Sequence, residues 1–241
     1  MPPAEQRRPQ MRPMNLKSLR DDNASAMERL AEFAEIDTHE KVEEPILAPE
    51  VAGALHEWMQ ELNYGKELAS VGVEPRRLAL LYGPPGTGKT TLARHLAARR
   101  GVPLVAVQSE RLIDAYMGSS ARNVAALFDC LKELNDQVVL LLDEFDALAS
   151  KREDRGSLDR ERAHVLTVLL QKVEAFKGIG LAATNRKEII DPAMWRRFGM
   201  QIAIGLPKEE QRFAILKKYA MPFDLEDEAF DVLVDATRGC S

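Results

Sequence analysis

The sequence predicts a three-layer α/β domain built on a parallel sheet, and three observations carry that prediction. Short apolar runs recur at Leu78 to Tyr82, Val102 to Val107, Val138 to Leu142, Gly180 to Ala183 and Gln201 to Ile204. Segments of helical periodicity separate them, at Lys89 to Arg100, Ser119 to Leu134 and about Arg160 to Phe176. Aliphatic strands joined by helices are what a sheet covered on both faces requires. The third observation is a glycine-rich loop, Gly83 to Gly88, placed directly after the first run and directly before the first of those helices.

The elements follow in order. Residues 1–22 carry four prolines and several arginines with few aliphatic anchors, which predicts a flexible tail. An Arg-rich, acid-poor start also suits an organellar transit peptide, but serine is scarce and the prolines interrupt any amphipathic helix. Residues 23–70 read as a helical lead. Ser25 and Glu28 have capping-box spacing ahead of Met27, Leu30, Ala31 and Ala34, and Pro49 opens a second helix with Leu55, Trp58, Met59 and Leu62 on one face. Residues 71–207 form the α/β core, and 208–241 a linker helix followed by a helix from about Glu226 to Thr237.

With 241 residues the chain is long enough for one full core and part of a second unit. Its apolar runs fall far short of the 18 or more residues that span a bilayer. A net charge of -5 argues against a surface devoted to nucleic-acid phosphates, so nucleic acid is not the favoured partner. The two cysteines, Cys130 and Cys240, lie far apart without CxxC or Cys/His spacing. That pattern points to a reducing compartment, the cytoplasm, rather than to disulfides or structural zinc.

The chemistry is concentrated in two segments. Gly83-Pro84-Pro85-Gly86-Thr87-Gly88-Lys89-Thr90 matches G-x-x-x-x-G-K-[ST], with Thr91 following in the first helical turn. The glycines let successive N–H groups turn onto phosphates, and the helix N-terminus adds its positive dipole end. Lys89 is placed to reach the β and γ phosphates of ATP, and the Thr90 hydroxyl to ligate Mg2+. The apolar run Val138 to Leu142 ends in Asp143 and Glu144. Asp143 suits the magnesium shell, while Glu144 suits polarisation of the attacking water.

At these residues the sequence resembles the AAA+ ATPases, more closely the AAA subgroup of unfoldases and remodellers. GPPGTGKT and LLLDEFDAL read as the family's two nucleotide motifs. The resemblance implies a P-loop NTPase large subdomain followed by the start of a small helical lid that normally continues further. Gly180 to Arg186 resembles the strand whose terminal Asn senses the γ phosphate, which makes Asn185 the sensor candidate. Asp191-Pro192-Ala193 through Arg196-Arg197-Phe198 to Gly205-Leu206-Pro207 resembles the region whose arginines reach into a neighbouring subunit. It is about two residues shorter than the Pro-Gly-containing form, and either Arg196 or Arg197 fits the finger.

Tyr116-Met117-Gly118 matches the family's first pore loop, a triplet that grips extended polypeptide in the channel of a hexamer. Packing of Tyr116 and Met117 against the sheet edge is the other reading. Ser150 to Ser157 falls where relatives have a second pore loop, and equally suits a solvated loop. Arg160 and Arg162 fit a subunit interface or ordinary helix-surface charge. The lead lacks the glycine motif that many relatives carry just upstream of the domain, so adenine contacts are not placed by sequence. The resemblance thus implies an ATPase in a homo-hexameric ring acting on polypeptide or a protein partner. A DNA-handling ATPase is the alternative, and a module that binds without turnover fits less well because both Asp143 and Glu144 are present.

Overall fold

A computed structural model describes residues 21–38, 42–112, 119–149, 157–221 and 226–241. Helix α1 (Asp21–Leu30) and strand β1 (Glu35–Asp37) precede α2 (Pro49–Asn63) and α3 (Gly65–Ser70). Strand and helix then alternate: β2 (Leu78–Tyr82), α4 (Lys89–Arg100), β3 (Leu104–Gln108), α5 (Ser109–Leu112), α6 (Ser119–Leu134), β4 (Val139–Asp143), α7 (Asp146–Ala149), α8 (Ser157–Ala175) and β5 (Ile179–Thr184). The chain continues through α9 (Pro192–Trp195), β6 (Met200–Ala203), α10 (Glu209–Ala220) and α11 (Asp227–Ala236).

The six strands form one sheet in the order β1-β3-β4-β5-β2-β6. Every neighbouring pair is parallel except β1 and β3, which run antiparallel at the edge. Because successive strand residues face opposite sides, the aliphatic runs divide between two cores. Leu80, Leu140 and Leu142 pack on one side with Leu30 of α1, Leu127 of α6 and Leu169 of α8. Ala79, Leu81 and Leu141 pack on the other with Leu55 and Trp58 of α2 and Leu92 and Leu96 of α4. These are the three layers the periodicity predicts.

Two expectations in the lead are corrected. Helix α1 already includes Asp21, so Ser25 lies inside it rather than at its cap, with its carbonyl accepting from Arg29 Nε at 3.4 Å. Asp21, Asp22 and Asn23 are themselves helix-opening residue types, so Ser25 is not the first such candidate along the chain. The lead is also not wholly helical, since Glu35–Asp37 pairs with Leu104–Ala106 as β1. Three residues are too few to show alternation. What holds the strand is tertiary: Asp37 is buried and meets Arg94 Nε of α4 at 2.9 Å.

The last two helices pack together through Phe213 and Phe230, whose ring centroids are 5.6 Å apart. Buried Arg212 donates to Val234 O at 3.2 Å and to Pro207 O at 3.0 Å, tying α11 to the linker after β6. Lys218 reaches back to the lead, with Nζ 3.0 Å from Glu44 O and 2.8 Å from the Glu43 carboxylate.

Candidate functional site

The phosphate loop is shaped by its glycines. Gly86 and Gly88 adopt left-handed φ values of 78° and 86°, which a side chain would strain. At Gly83 the constraint is space, because an added Cβ would lie 1.9 Å from the Ile204 carbonyl oxygen of the neighbouring chain segment. Gly83→Ala is therefore expected to push the loop off the end of β6 and to cost about 1–3 kcal/mol. Thermal unfolding together with nucleotide titration checks this; an unchanged midpoint and affinity would refute it.

Lys89 folds into the loop it follows. Its ammonium donates to Gly83 O at 3.0 Å and Pro84 O at 2.7 Å, while Thr87 Oγ1 donates to Pro84 O at 2.9 Å. Burial holds the Lys89 pKa below its ordinary value, and the nearby carboxylates of Asp143 and Asp146 oppose that shift. A buried ammonium surrounded by loop carbonyls is prepared for an anionic ligand of high charge density. Lys89→Ala is expected to lower nucleotide affinity by at least about 100-fold, since a charge-assisted contact in a partly desolvated site is lost. Titration with a fluorescent ATP analogue measures it, and wild-type affinity in the variant would remove Lys89 from the site.

Strand order brings the remaining groups to the loop. β5 lies between β2 and β4, so the ends of the three strands face one cleft at the carboxyl edge of the sheet. A cavity of about 350 Å³ is lined there by Pro85, Gly86, Gly88, Lys89, Thr90, Thr91, Asp143, Glu144 and Asn185. Thr90 Oγ1 donates to Asp143 Oδ2 at 2.7 Å, so the two expected metal ligands already meet. A hydroxyl and one carboxylate are a hard oxygen pair of the kind magnesium takes when phosphates and water complete its shell. Among the described residues no cluster of three or more His, Cys, Asp or Glu side chains is placed for a metal.

Glu144 enters the cleft through a sharp turn. Its φ of 49° is left-handed, an arrangement that costs a non-glycine residue about 1–3 kcal/mol. The surrounding bonds hold it: Glu144 N donates to Asp143 Oδ1 at 3.0 Å and Phe145 N to Ala183 O at 2.8 Å. Asn185 is held similarly, because buried Thr184 donates from Oγ1 to Asp146 Oδ1 at 2.8 Å and accepts Arg186 N at 3.0 Å. Ser109 Oγ donates to Asp143 O at 2.6 Å.

These supports, Ser109, Asp146 and Thr184, are assigned no role by the sequence reading. Asp146 and Thr184 stand in the quoted motifs, yet their pairing spans 38 positions and only the fold reveals it.

Arg196 and Arg197 are exposed after α9, and neither lines this chain's own cleft. Arg197 Nη2 meets Glu174 of α8 at 3.1 Å, while Arg196 has no ion pair among the described residues. The Asp191 side chain caps α9 by accepting from Ala193 N at 2.8 Å. Tyr116, Met117 and Gly118 lie outside the described residues, as do residues 150–156.

Comparison with known proteins adds an independent finding. The sequence model of the ATPase family associated with various cellular activities (AAA) matches residues 79–206. A proteasome-activating nucleotidase of Methanopyrus kandleri is 35% identical over 229 residues, covering 92% of this chain and 48% of the relative. That of Methanocella arvoryzae is 37% identical over 204 residues, covering 78% and 49%. The 26S proteasome regulatory subunit 10B homolog A of Arabidopsis thaliana is 38% identical over 183 residues, covering 70% and 46%. The chain spans about half the length of the curated relatives it matches.

Proposed function

The chain belongs to the ATPase family associated with various cellular activities, and from that premise we propose that it hydrolyses Mg2+-bound ATP in a homo-hexameric ring to remodel or unfold proteins. The observation that carries the reading is the convergence of Lys89, Thr90, Asp143, Glu144 and Asn185 on one cleft. Lys89 and the loop N–H groups bind the phosphates, and Thr90 and Asp143 would hold the magnesium ion, which would neutralise charge on the phosphates. Glu144 accepts a proton from the attacking water as its oxygen bonds to the γ phosphorus and the bond from that phosphorus to the β–γ bridging oxygen breaks, ADP leaving with the electron pair. Asn185 orients water and γ phosphate from the adjacent strand end. Arg196 or Arg197 supplies positive charge to a neighbouring subunit's cleft.

Tyr116, Met117 and Gly118 form the proposed substrate-gripping loop, in which an aromatic ring and a flexible thioether contact polypeptide without reading its sequence. The relatives' names, which concern proteasome activation, favour protein over DNA as the object of the motor. No helix among the described residues is long and apolar enough to cross a membrane. Two free cysteines, buried Cys130 and exposed Cys240, support the cytoplasm as the compartment. The test is ATP turnover with an unfolded polypeptide or with duplex DNA as stimulant. Stimulation by polypeptide that Tyr116→Ala abolishes supports the proposal; salt-sensitive stimulation by DNA alone would overturn it.

A further inference from the structure

The two arginines stand between two aromatic residues, Trp195 and Phe198, and each aromatic is in ring contact with a residue adjoining one of the segments that shape the chain's own cleft. Trp195 meets Tyr82 with centroids 5.3 Å apart, and Tyr82 is the residue immediately before the phosphate loop. Phe198 meets Phe145 edge-on at 5.3 Å, and Phe145 is the residue immediately after Glu144. Lys187, two residues beyond Asn185, places its ammonium 5.0 Å from the Tyr82 ring centroid. Gln201 Nε2 closes the turn by donating to Trp195 O at 3.2 Å and Phe198 O at 3.4 Å.

We propose that Trp195 and Phe198 are positioning residues that fasten the arginine-bearing turn to the phosphate loop and to the Glu144 turn, so that the chain's own cleft sets where its arginines point. The inference rests on Arg196 or Arg197 acting in a neighbouring subunit. Aromatic contacts of this geometry fix relative orientation as well as burying area. Two ring contacts and the two Gln201 bonds thus hold the four-residue stretch Trp195–Phe198 at both ends. Phe198 and Phe145 are buried in the core, whereas Trp195 is only half-buried and tolerates substitution better.

The experiment mixes two variants of the full chain. An acceptor carries Arg196→Ala with Arg197→Ala and keeps Glu144; a donor carries Glu144→Gln and keeps both arginines. Mixing them restores ATP turnover if arginines act in trans, and failure with the plain donor sinks that premise irrespective of Trp195. Adding Trp195→Leu to the donor is expected to lower the restored kcat by about 10- to 100-fold with KM for ATP unchanged, since misplacement by an ångström is enough for such a loss. Trp195→Phe in the donor is expected to restore kcat. Full complementation by the Leu donor, a matching rise in KM, or failure of Phe to rescue would each overturn the proposal.

Discussion

Glu144→Gln is expected to lower steady-state ATP turnover by about 10²- to 10⁴-fold, the range set by loss of a positioned general base, while leaving nucleotide affinity in place. The reason lies in what the substitution keeps. Glutamine preserves the size of the side chain and the left-handed turn at φ 49°, and the backbone bond to Asp143 Oδ1 does not involve the carboxylate at all. The Thr90–Asp143 pair and the Lys89 ammonium are likewise untouched. Only the ability to accept a proton from water is removed. The variant is therefore expected to accumulate bound ATP and, in the proposed ring, to stabilise the assembly. Single-turnover release of phosphate, compared with the affinity of a fluorescent nucleotide, separates the two effects. Equal turnover in wild type and variant would remove Glu144 from the catalytic role and leave a nucleotide-binding module.

Much of this site was legible in the sequence because its signals are local. Strand β2 and helix α4 have the bounds their patterns predict, α2 opens at the expected Pro49 and α6 ends at the expected Leu134, and α4 is delimited by Gly88 and Gly101, both left-handed. Proline at the first position of α2 is a comparably strong marker. The phosphate loop, Asp143 and Glu144 each announce themselves within a few residues of a strand end. What stayed hidden depends on partners distant along the chain. β1 exists because Glu35–Asp37 finds the edge of β3 and because Arg94 meets Asp37. Thr184 matters through Asp146, and Trp195 through Tyr82, a residue more than 100 positions earlier. Side-chain periodicity carries no record of such pairings, since an aromatic residue half-buried on a core and one holding a functional turn have the same pattern.

Replacing Arg196 and Arg197 together by alanine is expected to lower turnover by about 10³- to 10⁵-fold, the range seen where an arginine stabilises phosphoryl transfer. Affinity for ATP in the isolated subunit should be unchanged, because neither arginine lines its own cleft. Folding should also be nearly unaffected. The pair between Arg197 and Glu174 at 3.1 Å joins side chains that are 40% and 60% exposed, and an exposed pair contributes only about 0–1 kcal/mol. The weak hold on Arg197 and the freedom of Arg196 from ion pairing among the described residues leave both able to reach a neighbour at little cost. Single substitutions then assign the finger: the arginine whose removal alone reproduces the loss is the one that reaches across. Turnover per subunit in wild type should rise with protein concentration as the interface forms, and that dependence should vanish in the double variant. Weakened nucleotide binding by the isolated double variant, or turnover that stays at the wild-type level, would show that these arginines do not act from a neighbouring subunit.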